Sequence, residues 1–307
     1  MLNSNGKILH SLEYVYGMNN VAVDIRLPIK ISDLKQPIYD VKNLENVDIN
    51  DQYLLTSRKG KVLRVAGIDI HSFWSNGEIG FYVDKSSLYC ITSTGTTYYP
   101  VLLYTGLSMG MRMSYVAVND RIYMTNGVYI GYYKDKELFS LSAPNVSYKL
   151  SLPAGQVIES YEARLFVAKD KVVYISDPLC DHFDIRTGFK TTEQNATMLK
   201  AVDDGIFVAD TAVAFWGGNV DSFKRVEVSS SPALPNTAVG IKLSNNSDSN
   251  IESLAVWTAL DGIYIGENGG KITNVLEGRY SFPAGFSAQA AGIRLIDGIL
   301  HYLVSTI

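Results

Sequence analysis

The hydrophobic and polar positions of this chain form short alternating runs separated by turn residues. Sustained 3.6-residue periodicity is nearly absent, and apolar and polar residues alternate between Gly, Asn and Asp turns. Six runs resemble one another, and each consists of a strand, a short polar turn and a second strand. They are EIGFYVDKSSLYCI, DRIYMTNGVYIGYY, ARLFVAKDKVVYIS, DGIFVADTAVAFWG, DGIYIGENGGKITNV and DGILHYLVSTI. The sequence therefore predicts an all-β fold built from repeated strand pairs.

The spacing of these repeats indicates a particular β architecture. An aromatic residue marks the first strand of five units at intervals of 41, 43, 41 and 57 residues, at Tyr82, Tyr123, Phe166, Phe207 and Tyr264. A period near 41 residues is typical of four-stranded propeller blades such as those of WD-repeat proteins. We therefore predict a β-propeller of five or six blades. A stack of hairpins or a β-sandwich is the competing architecture.

The domain boundaries follow from the same repeats. Residues 229–250, which precede Tyr264, are rich in Ser, Asn and Pro and are interpreted as a loop insertion. The last unit stops after about two strands, so we expect the early segments QYLLTS and GKVLRVAG to pair with it and close the ring. The propeller domain is thus predicted over residues 51–307. Residues 1–50 have no matched repeat and are predicted to be an extended N-terminal arm that lies on its own propeller or on a neighbouring subunit.

Composition adds few constraints on function. With 47% hydrophobic and 19% charged residues, the 307-residue chain is expected to fold around a large core. The net charge of −4 gives no basic surface of the kind that coats nucleic acid. One local basic cluster is interpreted as a solvated strand edge rather than a phosphate site; it consists of Arg58, Lys59, Lys61 and Arg64.

The cysteines and the amino terminus bear on where the protein is made. Cys90 and Cys180 have no CxxC spacing, so neither a disulfide framework nor a zinc site is indicated. The first residues lack the basic region and apolar run of a secretory signal, and no stretch of about 18 apolar residues occurs. We expect a protein that is made in the cytoplasm and does not insert into a membrane.

No motif in the chain predicts catalysis. The GxSxG elbow, the HExxH motif, the Walker loop and the Asp-box of sialidase propellers are all absent from the sequence. GENGG, at Gly266 to Gly270, is interpreted as a hairpin turn rather than a phosphate cradle. The four histidines lie in unrelated contexts, at His10, His71, His182 and His301. We therefore predict a protein that is not an enzyme, with no catalytic, cofactor-binding or metal-binding residues.

The stretch VYISDPLCDHFDI contains a thiol, an imidazole and three carboxylates within a few residues. Its potential metal ligands are Asp177, Cys180, Asp181, His182 and Asp184. The Asp-Pro pair that begins at Asp177 initiates a turn, and it directly follows a strand of a repeat unit. We therefore interpret the stretch as a loop that fixes one blade to the next, with Phe183 packed inwards.

Two apolar segments could either pack in the core or contact a ligand or another subunit. HSFWS places Phe73 and Trp74 beside a glycine turn, where an aromatic ring could stack on a sugar or a base, although core packing is commoner. Met109, Met111 and Met113 alternate along a predicted strand, which suggests an adaptable apolar face in the core or in a subunit contact.

Several of these segments, taken in order, resemble a family of tailed-bacteriophage virion proteins. The segments are GMNNVAVDIRLP, NVDI, HSFWS, VVYISDPLCDHFDIRTGF, GIFVADTAVAFWGG, GIYIGENGGKITNV and GIRLIDGILHYLVST. Members usually start with a G-[IM]-N-N-V-A arm, carry an HSLWS-like segment, and have a tyrosine strand followed by a [SD]-[EDP]-P-L turn. Here Phe73 replaces the leucine of HSLWS, and the aromatic residue often found after P-L is replaced around Cys180.

The resemblance implies a structural protein of the virion, made in the host cytoplasm. It is similar to the propeller-containing nozzle or hub proteins and the packaged-DNA-stabilisation proteins of short-tailed phages, at the head–tail junction or in the tail. The implied partners are a portal or adaptor, a fibre or needle, and further copies of the chain in a ring such as a hexamer. DNA would touch the ring non-specifically as it is held or ejected, and a mildly acidic wall lets it slide.

Two other functions remain open at this point. The first is a recognition module that binds a host surface glycan or protein through exposed aromatic residues such as Trp74, Trp216 or Trp257. The second is a glycan-active enzyme that uses Asp177, Asp181 or Asp184, for which the sequence offers no paired acid in an adjacent repeat.

Overall fold

The protein is all-β in the computed structural model, which describes residues 65–94, 97–244, 251–296 and 299–306 and, before them, the backbone of five short strands. Those five are β1 (Val15–Met18), β2 (Lys30–Ile31), β3 (Pro37–Val41), β4 (Val47–Ile49) and β5 (Leu55–Ser57). β3 pairs with β1 in parallel and with β2 in antiparallel orientation, and β4 pairs with β5. The predicted arm, residues 1–50, therefore contains β1 to β4 among its described parts.

Five four-stranded antiparallel sheets follow one another along the chain, and we call them blades 1 to 5. Blade 1 contains β6 (Ile70–Ser75), β7 (Gly80–Asp84), β8 (Ser87–Thr94) and β9 (Thr97–Thr105). Blade 2 contains β10 (Ser114–Val118), β11 (Arg121–Thr125), β12 (Ile130–Lys134) and β13 (Glu137–Phe139). Blade 3 contains β15 (Val157–Tyr161), β16 (Arg164–Lys169), β17 (Val172–Ile175) and β19 (Phe189–Thr191). Between β17 and β19 the chain forms β18 (His182–Asp184), which pairs with β14 (Lys149–Ser151) in a small separate sheet.

The remaining strands complete two more blades and one smaller sheet. Blade 4 contains β20 (Met198–Val202), β21 (Gly205–Ala209), β22 (Val213–Gly217) and β23 (Lys224–Ser229). Blade 5 contains β24 (Val239–Ser244), β25 (Ile251–Ala259), β26 (Gly262–Gly266) and β27 (Ile272–Asn274). Sheet 6 pairs β28 (Ala288–Ile296) with β29 (Ile299–Thr306). Single 3₁₀ turns occur at Val220–Ser222 and Asn268–Gly270.

Tight turns and apolar strand faces explain why these residues form blades. Two β-hairpin turns place both central residues at positive φ, with Asp135 at 50° and Lys136 at 69°, and with Glu162 at 46° and Ala163 at 57°. This geometry matches the right-handed twist of the adjoining strands. The middle strands are buried on both faces, as in β21, where all five residues are buried. Each blade therefore needs a neighbouring sheet on either side.

The core consists of four apolar layers, each between consecutive blades. Phe81 of blade 1 meets Tyr115 of blade 2 at a ring separation of 5.9 Å, and further layers join blades 2 and 3, and blades 3 and 4. Phe207 of blade 4 packs on Trp257 of blade 5 at 5.4 Å. Sheets packed face to face in sequence confirm the predicted all-β propeller.

The structure corrects the predicted fifth repeat. Four repeat units form the second and third strands of blades 1 to 4, but DGIYIGENGGKITNV forms β26 and β27, the third and fourth strands of blade 5. The first strand of that blade, β24, lies inside residues 229–250, which were predicted to be a loop insertion. The reason is that Val239, Ile241 and Leu243 alternate with less apolar residues, which is a strand pattern within a Ser- and Asn-rich segment.

Two further expectations concern segments next to the blades. The predicted strand over Met109 to Met113 is wrong, because β10 begins at Ser114. The expected hairpin of QYLLTS with GKVLRVAG, and its pairing with sheet 6, lies largely outside the described residues. Within them, β5 pairs with β4. In the described part of the chain, no helix is long and apolar enough to cross a membrane.

Candidate functional site

The first strands of the blades surround a channel with a volume of about 630 Å³. β6, β10, β15, β20, β24 and β28 all contribute residues to its wall. Neighbouring first strands are joined by hydrogen bonds from backbone N–H groups to serine hydroxyls. Met113 N donates to Ser72 Oγ over 2.8 Å, and Ile158 N donates to Ser114 Oγ over 3.1 Å. The channel is therefore a fixed feature of the fold, formed where the blades meet.

The channel wall combines polar and apolar side chains. Its polar residues include Arg112, Lys200, Gln156, Thr197 and Gln289, and its apolar residues include Ile70, Phe73, Met198 and Ile293. No Asp or Glu of the described residues lines it. The wall is therefore of mixed character, with nearly as much polar as apolar surface.

The two cations of the wall differ in their partners. Lys200 Nζ lies 2.6 Å from the Oε2 atom of buried Glu159. Arg112 Nη2 donates to Gln289 Oε1 over 3.4 Å, and the described residues provide no ion pair for it. Burial lowers the pKa of nearby His71, and the positive charge of Arg112 adds to this effect. His71 is therefore neutral at physiological pH.

HSFWS lies in β6 and contains a β-bulge, and its two adjacent aromatic residues have different surroundings. The register with β7 shifts between His71 and Trp74, and Ser72 adopts a positive φ of 55°. Trp74 stacks on Tyr115 at 5.8 Å, so it belongs to the layer between blades 1 and 2. Phe73 lines the channel and is 68% exposed. Of the two, Phe73 is the ring that remains available to a ligand.

The stretch VYISDPLCDHFDI leaves β17 at Asp177, forms β18 and returns to blade 3. Asp181 accepts hydrogen bonds from Tyr123 Oη at 2.7 Å and Arg121 Nη1 at 3.2 Å, both in blade 2. Phe183 is buried. These contacts confirm the interpretation as a loop that fixes one blade to the next.

The other side chains of this loop also have partners. Lys149 Nζ lies 2.5 Å from Asp177 and 3.3 Å from Asp184, and His182 Nε2 lies 3.2 Å from Asp177. Arg186 donates to both carboxylate oxygens of Asp184, at 2.8 and 2.6 Å. Within the described residues, no group of three or more His, Cys, Asp or Glu could hold a metal ion. The carboxylates therefore form a structural ion-pair network.

The outer strand of blade 1, β9, presents an apolar edge. Its nine residues, TYYPVLLYT, include no charged residue. The outer strands β13, β19 and β23 each contain at least one, and the three-residue β27, ITN, contains none. Tyr99 and Leu102 are each 51% exposed, and Val101 is 47% exposed. Within the described residues β9 pairs only with β8, so it is the outer strand of this sheet.

Other candidates from the sequence are structural or lie outside the described residues. GENGG is a turn, as predicted, in which Gly269 (φ 73°) donates its N–H to Asp204 of blade 4 over 2.8 Å. The expectation that Trp216 and Trp257 are exposed is wrong, because both pack between blades and are buried. Cys90 is buried, which raises its pKa. His10 and the basic cluster Arg58 to Arg64 lie outside the described residues.

Solved structures with a similar fold are β-propellers. The N-terminal domain of Nup159 is 10% identical, with a TM-score of 0.50, over 84% of this chain and 77% of that one. The WD40 β-propeller domain of Doa1 is 11% identical, with a TM-score of 0.46, over 78% of this chain and 83% of that one. At 10% identity, the likeness to the Nup159 domain shows the fold alone. No protein-family model matches the chain, and no curated protein matches it.

Proposed function

We propose that this chain is a non-enzymatic assembly protein that joins other protein chains through the outer edge of blade 1. The observation that carries the proposal is the surface of β9. This strand has nine residues and no charge, and five of its large apolar side chains are between 39% and 51% exposed. Soluble proteins usually protect sheet edges with charges, because free backbone groups invite a further strand. An extended segment of a partner can pair with such an edge and bury its side chains.

The resemblance to tailed-bacteriophage virion proteins suggests which partners the chain would join and where. In that setting the partners are further copies of the chain, in a ring such as a hexamer, and neighbouring tail or head-completion proteins. The protein would then reside in the virion, where passing DNA touches the assembled ring without sequence preference.

Matched charge substitutions on two outer strands test the assembly role. Val101→Lys adds a charge to β9, and Val226→Lys makes the same change on β23, which is already charged. We expect native mass spectrometry to show self-association or capture of tail proteins by the wild type and Val226→Lys, and its loss in Val101→Lys. A strict monomer that captures no tail protein, or unchanged assembly of Val101→Lys, would overturn the proposal.

A second candidate, a recognition module for a host surface glycan or protein, is favoured by the exposed ring of Tyr99 on the same strand. Aromatic rings that stand free of the core are common in such contacts. Saturable binding on a glycan array that Tyr99→Ala removes would favour this role over assembly.

A further inference from the structure

Arg112 lies in a half-buried position, and no described residue forms an ion pair with it. Its contact with Gln289 Oε1, at 3.4 Å, is beyond the usual length of an N–H···O hydrogen bond. Lys200, on the same wall, is paired with Glu159 at 2.6 Å. Arg112 is half-buried and its contact with Gln289 is open to solvent, so an anionic ligand can reach the guanidinium and pair with it.

The surroundings of Arg112 favour a carboxylate as that partner. The guanidinium plane presents a fork of N–H donors that matches the two oxygens of a carboxylate. The side-chain amides of Gln289 and Gln156 line the same cavity and can donate further hydrogen bonds, whereas the Thr197 hydroxyl already donates to Ala233 O. Since no carboxylate of the described residues lines the cavity, an incoming anion meets no like charge on this wall.

The apolar part of the wall indicates the rest of the ligand. Phe73 is 68% exposed, and together with Ile70 and Ile293 it lines the cavity. A volume of about 630 Å³ is in the range of small-molecule sites. We propose that the channel binds a small organic acid, whose carboxylate pairs with Arg112 and whose apolar part lies on Phe73. This site is separate from the edge of blade 1.

Benzoate, benzyl alcohol and inorganic phosphate are suitable probes of this site, with calorimetry or ligand-observed NMR as the readout. We expect benzoate to bind more tightly than benzyl alcohol, which has the same ring without the charge. Arg112→Gln should weaken benzoate binding by about tenfold or more, the value of one charged hydrogen bond. Arg225→Gln, which removes a cation from the outer strand β23, should leave it unchanged.

Gln289→Glu gives a second test that keeps Arg112 in place. The new carboxylate would stand where the amide of Gln289 now meets the guanidinium, and it would compete with the ligand. We expect this variant to keep its melting temperature and lose benzoate binding. The proposal is overturned if benzoate fails to bind at about 10 mM, if its binding survives in both Arg112→Gln and Gln289→Glu, or if phosphate binds and benzoate does not.

Discussion

At the scale of single residues, Asp181 and Asp184 have the same side chain and different tasks. Asp181 reaches Arg121 of blade 2, whereas Asp184 binds Arg186, two residues further along the chain. The turn at Asp177 could be predicted, because Asp-Pro acts locally. The partner of Asp181 could not, because Arg121 is 60 residues away and meets it only when two blades pack. For the same reason the sequence could not predict that Arg112 meets Gln289, 177 residues away, and no carboxylate among the described residues.

Asp184 gives the stability of the protein a pH dependence. Hydrogen bonds from the Arg186 side chain, then its backbone N–H and Lys149, hold the pKa of Asp184 well below its usual range. A carboxyl whose pKa is lowered by folding stabilises the folded state above its unfolded pKa, and that stability is lost as the pH falls. We expect the melting temperature of the wild type to fall below about pH 5, and that of Asp184→Asn to fall less steeply. Thermal melts followed by circular dichroism measure both, and parallel profiles would assign the effect to other groups.

At the scale of elements, repeat similarity identified hairpins correctly but placed one of them at the wrong position in its blade. Any two consecutive strands of an antiparallel sheet form a similar hairpin, so DGIYIGENGG resembles DGIFVADTAV although it begins one strand later. The position within the blade is set by which strand faces the channel. For blade 5 that strand is β24, whose residues Val239 and Gly240 line the wall.

Two shortened variants distinguish a strand from a loop in this segment. Removal of Val239–Ser244 takes away β24 and uncovers the edge of β25, which carries buried Ala255 and Trp257. We expect no soluble folded protein, because β25 would lose its hydrogen-bonded partner strand and a domain is stabilised by only about 5–15 kcal/mol in total. Replacing residues 245–250, between β24 and β25, with an Asn-Gly turn should leave the fold intact, because Ser244 and Ile251 face each other across this hairpin and need only a short connection. Soluble yield and the β-sheet circular dichroism signal measure the outcome, and a folded product lacking β24 would restore the loop interpretation.

At the scale of the whole molecule, sheet 6 is attached differently from the blades. Blades 1 to 5 are joined by apolar layers, but in the described parts of β28 and β29 only Ala288 is buried. Sheet 6 contacts the segment before β24 through a hydrogen bond from Ala291 N to Asn236 O, at 3.1 Å, and contacts β25 of blade 5 through Tyr302 and Thr258. The sequence predicted that this short last unit needs partners. It could not predict their hydrogen bonds, because these depend on the curvature of the assembled ring.

The Tyr302 hydroxyl forms polar contacts between sheet 6 and blade 5, and its loss should loosen that sheet first. The hydroxyl donates to Thr237 O over 2.6 Å and lies 2.8 Å from Thr258 Oγ1, and burial raises the pKa of Tyr302 to about 12. Tyr302→Phe leaves the Thr237 carbonyl without this donor, which costs about 1–3 kcal/mol. We expect amide hydrogen exchange to accelerate in β28 and β29 while β20 to β23 keep their protection, because weakly attached elements open locally. Tyr99→Phe, at an exposed site on β9, is the matched control and should change neither region. Equal acceleration in blade 4 would show that Tyr302 stabilises the whole ring rather than the attachment of its last sheet.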